Sequence, residues 1–174
     1  MRFEIDVSGS DIFRTKYAIC IASKDLINGK RIIKGFRMNN ELRKTLIKKW
    51  KENKYKYHYD LCETTRGTFK VRIYCVIVYY LLKSLQIEEK ISLTICRDFS
   101  GRESTINQNL RFLLEEKGKM QIGVPLYRKL PPSSLAHWYA KNTANDSENR
   151  LDTYVNITLE DIEKFLKKRE KLHQ

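Results

Sequence analysis

The sequence predicts a single domain of the α/β class (mixed α+β), with a mixed sheet, an N-terminal antiparallel meander of three strands and flanking helices. Three observations predict this class. Three short strand-like segments follow one another at the start of the chain, an apolar run extends from Val71 to Leu82, and a second apolar segment ends at Asp98. A chain of 174 residues can form a core without a metal or disulfide, so we expect one domain over residues 1–174.

Alternation and turn residues predict the meander. Residues 3–7 alternate apolar and polar side chains, and residues 16–23 and 30–38 are rich in strand-forming side chains. Asn28 and Gly29, between the second and third segments, form a dipeptide typical of a tight hairpin turn. Because short connections join antiparallel neighbours, we expect the three strands to pair in sequence order.

The apolar run from Val71 to Leu82 is interrupted only by Arg72. It is shorter than the roughly 20 residues that cross a bilayer, so we expect no membrane partner. Its β-branched residues suit a strand, but the apolar pattern continues through Leu85 and Ile87. This length favours a buried helix.

Capping residues and apolar spacing predict the remaining elements. In chain order they are a basic amphipathic helix capped by Asn39 or Asn40, a helix that starts at Ser104 or Thr105 and ends at Gly118, a strand at 120–130 that Pro125 places at an edge or a bulge, a short helix at 135–140, a polar segment at 142–152, a strand at 153–157, and a C-terminal helix at 158–172.

The net charge of +13 is concentrated in one part of the chain. Residues 14–57 contain 14 lysines and arginines against three acids, whereas residues 137–163 contain six acids against two basic side chains. This asymmetry predicts a surface that binds a polyanion. The alternative explanation is a lysine-rich composition that reflects an A/T-rich genome or a hot habitat.

The basic segment at 39–59 combines cations with aromatic rings. Cations neutralise phosphates and rings stack on unpaired bases, so DNA or RNA is the expected partner. The alternative is an edge strand whose tyrosines pack on the core. The predicted nucleic-acid-binding residues are Arg43, Lys44, Lys48, Lys49, Lys54, Tyr55, Lys56 and Tyr57.

The order of elements resembles the ribonuclease H-like nuclease superfamily over residues 1–115. Three strands precede helical material, a strand that ends at Asp98, and a helix. The resemblance implies a ribonuclease H-like mixed sheet in which Asp6, on the first strand, and Asp98, after the fourth, are catalytic metal-binding carboxylates. It also places Arg72 at or near the position of the family's helix glutamate. Three explanations of this departure are open: Glu63 or another acid takes the role of the glutamate, the alignment is shifted, or metal catalysis has been lost.

The cofactor that this resemblance implies is Mg²⁺ or Mn²⁺. Two divalent ions that clamp the attacking and leaving oxygens of a phosphodiester need several converging oxygen ligands. Asp6 and Asp98 supply two of them, and we predict Asp146 and Asp152 as further metal ligands. Taken singly, such acids are more often solvated loop residues or helix caps.

Other catalytic chemistries lack their motifs. The chain has no Walker-type phosphate loop, no G-x-S-x-G elbow and no H-E-x-x-H pair. Its four cysteines are isolated from one another, which favours buried thiols over zinc ligands or disulfides. His137 can transfer a proton or stack on a base, but the interpretation that we favour is a surface histidine beside a buried Trp138.

The sequence therefore predicts a cytoplasmic nucleic-acid-binding protein, with a metal-dependent nuclease or resolvase-like phosphodiesterase as the leading function. The early carboxylates at the N-terminus do not resemble a signal peptide. A non-catalytic DNA- or RNA-binding protein on the same α/β scaffold is the first alternative. A structural protein whose basic face meets an acidic partner or its own acidic C-terminal region is the second.

Overall fold

The computed structural model of the protein describes residues 1–14, 16–60 and 62–167. The strands are β1 (Arg2–Ser8), β2 (Ala18–Ser23), β3 (Ile33–Arg37), β4 (Ser92–Ile95) and β5 (Leu126–Tyr127). The helices are α1 (Asn40–Lys51), α2 (Glu63–Lys83), α3 (Glu103–Leu110), α4 (Leu135–Asn145) and α5 (Leu159–Glu163), and a π-helical segment (Arg111–Lys117) continues α3.

The five strands form one mixed sheet in the order β3-β2-β1-β4-β5. The first three strands pair antiparallel, whereas β4 runs parallel to β1 and β5 runs parallel to β4. Asn28 and Gly29 both have positive φ, as a tight hairpin turn requires, and Ile27 and Lys30 exchange backbone hydrogen bonds around them. The predicted meander and the predicted α/β class are confirmed.

Helix α2 fills the core on one face of the sheet. Nearly every residue from Phe69 to Leu82 is buried, and the helix packs against β2, β3, α3 and the π-helical segment. Phe3, Ile5 and Phe36 of the sheet belong to the same core. The predicted helix is confirmed, and in the described part of the chain no helix has the length and apolarity needed to cross a bilayer.

Helix α4 covers the opposite face and approaches it closely because the facing residues are small. Ser134 caps the helix, and Ala136 and Ala140 are fully buried. At Gly35 of β3, a Cβ atom would lie only 2.9 Å from Oγ1 of Thr143. A glycine at this position therefore lets the helix lie against β3.

Strand β5 is shorter than the strand predicted at 120–130. Ile122 makes only an isolated bridge with Ile91, and Pro125, which has no N–H to donate, precedes the two paired residues. The strand lies at the edge of the sheet, as Pro125 predicted.

The C-terminal third departs from the prediction in three further places. Residues 153–157 do not form a strand, because they pair with the edge strand β3 at a single bridge. Helix α4 extends over the first part of the segment predicted to be polar loop at 142–152. The capping box at Thr158 is confirmed, but α5 has only five residues, and residues 168–172 of the predicted C-terminal helix lie outside the described residues.

Candidate metal centre and adjoining cavity

Two carboxylates meet where β1 and β4 end. The two strands are parallel neighbours with Ile5 opposite Ile95, so Asp6 of β1 lies beside the chain that leaves β4. One potential ligand atom from each of Asp6, Cys96 and Asp98 lies within 4.8 Å of the others. In the described chain, this is the one group of three or more side chains with such metal-binding geometry.

The surroundings make this carboxylate pair electrostatically unfavourable in the absence of a cation. The side chain of Asp6 is only 3% exposed. Loss of solvent around the carboxyl group of Asp98, together with the nearby charge of Asp6, raises the pKa of Asp98 to about 6. Burial also raises the pKa of the Cys96 thiol to about 11, so at neutral pH this side chain is a protonated thiol and a poor ligand for a hard cation.

His137 is a contact of the centre that the sequence analysis did not place there. Its Nδ1 lies 2.7 Å from Oδ2 of Asp6. An ionised carboxylate only accepts hydrogen bonds, so Nδ1 carries the hydrogen and donates it. One helical turn earlier, Oγ of Ser134 donates to Oε2 of Glu4 at 2.8 Å. Because Glu4 and Asp6 lie on the same face of β1, these two hydrogen bonds fix the start of α4 across that strand.

The favoured interpretation of His137 is confirmed for the exposed helix histidine but wrong for the buried tryptophan beside it. Trp138 is 56% exposed, whereas the ring of His137 contacts Asp6. Helical spacing from the buried alanines of α4 places His137 at the edge of the buried face. The sequence carries no signal for its partner, because Asp6 lies 131 residues earlier.

A polar cavity of about 370 Å³ opens beside Asp98. Its walls are the end of β1, the loop between β1 and β2, the first turns of α2 and the loop after β4. In that wall, Nζ of Lys70 lies 2.5 Å from Oδ2 of Asp11, which ties the β1–β2 loop to α2. The cavity therefore lies between elements that are held together independently of any ligand.

Arg72 lies apart from this cavity. It is 5% exposed, its Nη1 donates to Oδ1 of Asn109 at 2.6 Å, and its guanidinium lies 5.1 Å from the ring centroid of Phe112. These contacts are on the side of α2 that faces α3 and the π-helical segment. Arg72 therefore does not line the cavity, and Glu63 is the acid that α2 brings to the cavity wall.

The structure corrects the prediction that Asp146 and Asp152 complete the metal centre. Neither belongs to the described group around Asp6. Asp146 accepts a hydrogen bond from the backbone N–H of Leu151 at 2.9 Å, and this bond lowers its pKa. Asp152 is exposed in the same loop. The physical reason is the direction of α4: its first turn reaches β1, whereas these aspartates follow its last turn.

Helix α1 is basic and amphipathic, as predicted. Asn39 caps it by accepting a hydrogen bond from the backbone N–H of Leu42, and its apolar stripe, which includes Trp50, is buried. Of the predicted nucleic-acid-binding cations, those exposed are Lys44, Lys48, Lys54 and Lys56, while Arg43 is half-buried.

Two residues predicted to bind nucleic acid belong instead to an internal cluster. Tyr55 is 1% exposed and its hydroxyl donates to Oε1 of Glu163 at 2.8 Å. Nζ of Lys49 donates to the same oxygen at 2.7 Å. The ring of Tyr55 therefore packs on the core and cannot stack on a base. Tyr57 is half-buried, with its ring centroid 5.6 Å from that of Phe69.

The basic helix lies against the loop that borders the cavity. Phe13 of this loop stacks on Trp50 of α1 and on Phe69 of α2, with ring centroids 5.8 Å apart in both pairs. Phe13 follows Ile12, which lines the cavity. The exposed lysines of α1 and the cavity therefore belong to neighbouring elements.

The fold and the site together define an α/β domain with a two-carboxylate candidate metal centre. Comparison of the chain with protein-family models, with curated proteins and with solved structures finds no match. Function is therefore argued from the site, because a fold class alone does not determine it.

The raised pKa of Asp98 predicts a pH-dependent effect of its replacement by asparagine. Because the pKa of Asp98 lies above its usual value of 3.8, the protonated carboxyl group favours folding, and this contribution is lost as the pH rises through about 6. The carboxyl group of Asp98 has lost part of its solvent, but the residue as a whole remains exposed, so solvent screening reduces the cost of its ionised form to roughly 1 kcal/mol. In EDTA, Asp98→Asn should raise the free energy of unfolding by about 1 kcal/mol at neutral pH, and by almost nothing at about pH 4.

Urea denaturation at the two pH values measures this difference. Asp152→Asn, in an exposed loop, is the matched control and should change the free energy of unfolding by less than about 0.5 kcal/mol at either pH. A loss of stability in Asp98→Asn at neutral pH would show that the ionised carboxylate makes favourable contacts instead.

Proposed function

We propose that the protein is a metal-dependent phosphodiesterase that cleaves nucleic acid, and that Asp6 and Asp98 hold its Mg²⁺ or Mn²⁺. One observation carries the proposal: these carboxylates approach within 4.8 Å where two adjacent parallel strands end. In α/β sheets, ligands bind outside the carboxyl ends of the strands. Carboxylate oxygens are the ligands that these hard cations prefer.

The donor set fits such an ion. Asp6 is almost completely buried, and its side chain accepts hydrogen bonds from His137 and from the thiol of Cys96. The nearby Asp98 adds a second charge of the same sign, so a divalent cation would relieve a repulsion that the fold itself leaves in place. A bound divalent ion supplies Lewis-acid polarisation of the phosphodiester and a more acidic bound water. Glu63 lines the wall of the same cavity as Asp98, outside the group of converging ligand atoms.

His137 acts as a positioning residue in this proposal. Its Nδ1–H holds one oxygen of Asp6, which leaves the other oxygen for a ligand. The side chain of His137 is 52% exposed, so its ring can form a hydrogen bond with water or substrate while it orients the carboxylate.

The resemblance to the ribonuclease H-like superfamily supports the same function. It implies catalytic carboxylates on the first strand and after the fourth strand of a mixed sheet; Asp6 lies on β1, and Asp98 follows β4, the parallel neighbour of β1. Arg72, which the resemblance placed at or near the position of a family glutamate, makes its contacts with α3 and the π-helical segment. It therefore gives no reason to exclude a cation.

The substrate class follows from charge. The exposed lysines of α1 lie on the element that packs, through Trp50 and Phe13, against the loop bordering the cavity. A polyanionic strand bound on α1 would therefore lie on an element that contacts the border of the cavity. A non-catalytic DNA- or RNA-binding protein is the second candidate, and the same basic helix favours it because phosphate binding by lysine requires no metal.

Replacing either carboxylate separates these two functions. Asp6→Asn and Asp98→Asn each keep the side-chain shape but remove a charged ligand, so each should abolish Mg²⁺- or Mn²⁺-dependent cleavage. Binding of nucleic acid in EDTA should remain nearly intact, since the basic helix is unchanged. The measurement is cleavage of labelled single strands, duplexes, hybrids and branched junctions, beside a binding titration. Tight binding by the wild-type protein without cleavage of any substrate would leave the non-catalytic candidate.

Neutralising two exposed lysines of α1 tests the binding surface. The double variant Lys44→Gln, Lys48→Gln should bind duplex DNA more weakly, and its log–log salt dependence should be flatter by about 0.9 for each phosphate that the variant no longer neutralises. The matched control is Lys90→Gln, Lys119→Gln, since these exposed lysines lie near the amino end of β4, away from Asp98. Equal slopes of the salt dependence in the two double variants would show that α1 is not part of the nucleic-acid interface.

A further inference from the structure

The cavity beside Asp98 contains a buried hydrogen-bonding group without a partner. Tyr17 lines this cavity and is 2% exposed, yet its hydroxyl makes no hydrogen bond to any described residue. A buried polar atom left unpaired costs about 1–3 kcal/mol, so such atoms in a cavity usually have a ligand or an ordered water as partner. The hydroxyl of Tyr17 is closed to solvent in this structure, so it can donate only to an acceptor whose entry opens the cavity wall around it.

A second donor lines the same cavity. Arg102, in the loop between β4 and α3, has no carboxylate partner among the described residues, although acids are present in the cavity wall. Asp11 is already paired with Lys70. Arg102 and Tyr17 therefore both bring unpaired hydrogen-bond donors to the wall of one open cavity, and an anion requires such donors.

Gly67 of α2 makes room for this guanidinium. A Cβ atom at Gly67 would lie 2.6 Å from Nη2 and 2.9 Å from Cζ of Arg102, so no other residue fits without moving the arginine. A glycine inside a helix costs about 1 kcal/mol relative to alanine. In the 21-residue helix α2, Gly67 leaves space that the guanidinium of Arg102 occupies.

We propose that this cavity is the subsite for one nucleotide of the substrate strand, whose phosphate is held by Arg102 and by the hydroxyl of Tyr17. The volume of about 370 Å³ is at the lower end of the range for small-ligand clefts, about 300–1,000 Å³, and suits a single nucleotide. The subsite rests on the proposed function, because Asp98 borders it and would present a cation to the adjoining phosphodiester. Its specificity is for the phosphate, since the unpaired groups are donors.

Titration with adenosine monophosphate in EDTA tests the subsite without any cleavage. By calorimetry or NMR, Arg102→Gln should raise the dissociation constant about tenfold or more, and Tyr17→Phe should raise it several-fold. Gly67→Ala should also weaken binding by displacing the guanidinium. Arg66→Gln is the matched control, since Arg66 is an exposed arginine of the same helix that does not line the cavity. It should change the constant less than about twofold.

Two further measurements distinguish an effect on stability from an effect on binding, and phosphate recognition from base recognition. Tyr17→Phe removes an unpaired buried hydroxyl, so the free protein should be at least as stable to urea as the wild type while it binds the nucleotide less tightly. Inorganic phosphate should compete with adenosine monophosphate, and adenosine should bind much more weakly. Equal binding of adenosine, or equal constants for the wild type and Arg102→Gln, would overturn the proposal.

The outcome is separable from that of the proposed function. Loss of nucleotide binding in Arg102→Gln, with no cleavage by the wild type under any condition, would support the proposed subsite and contradict the proposed nuclease activity. Cleavage that requires Asp6 and Asp98 but has the same KM in Arg102→Gln as in the wild type would support the proposed nuclease activity and contradict the proposed subsite.

Discussion

The parallel pairing of β1 with β4 is the constraint on which the candidate centre depends. Parallel neighbours require a long crossover connection, and here α1 and α2 lie within it. The backbone N–H of Cys96 donates to the carbonyl of Ile5 at 3.0 Å, which extends the pairing one residue past β4. The chain then turns and brings Asp98 beside Asp6. A slip of one residue in β1 would move Asp6 to the face that α2 covers.

The two faces of the sheet have different physical roles. Large apolar side chains face α2 and supply most of the core, whereas Glu4 and Asp6 of β1 face α4. A buried carboxylate is costly unless it has hydrogen-bonding or charged partners. Ser134, which caps α4, and His137, in its first turn, supply hydrogen bonds to these two acids. Small residues along the rest of α4 let it lie close enough to the sheet for both contacts to form.

Local signals in the sequence were sufficient for much of the fold. The Asn28-Gly29 turn, the cap at Asn39 and the length of the apolar run at 71–82 predicted the meander, α1 and α2, because each depends on neighbouring residues. The predicted order of the strands also placed Asp6 and Asp98 on adjacent strands. No local sequence pattern indicated that α3 continues as a π-helix. The prediction of a strand at 153–157 was wrong because pairing with an edge strand depends on a partner distant in sequence.

The parts of the site that could not be predicted all depend on contacts distant in sequence. His137 reaches Asp6 only because α4 crosses the sheet in one direction, and the same direction keeps the later acidic loop away. Lys49 and Tyr55 have the composition of a nucleic-acid-binding segment, but both bind Glu163, more than one hundred residues later. Charge and periodicity identify which side chains are polar, but only the folded structure determines which of them already have a hydrogen-bonding or ionic partner.

The central claim is that Asp6 and Asp98 form a divalent cation site. Anomalous diffraction from crystals soaked in Mn²⁺ tests it most directly, because it locates the ion without reference to activity. The account predicts one peak within about 2.0–2.2 Å of a carboxylate oxygen from each aspartate, the usual distance for a small divalent cation. A peak at other acids with none between Asp6 and Asp98, or no bound Mn²⁺ at all, would contradict it.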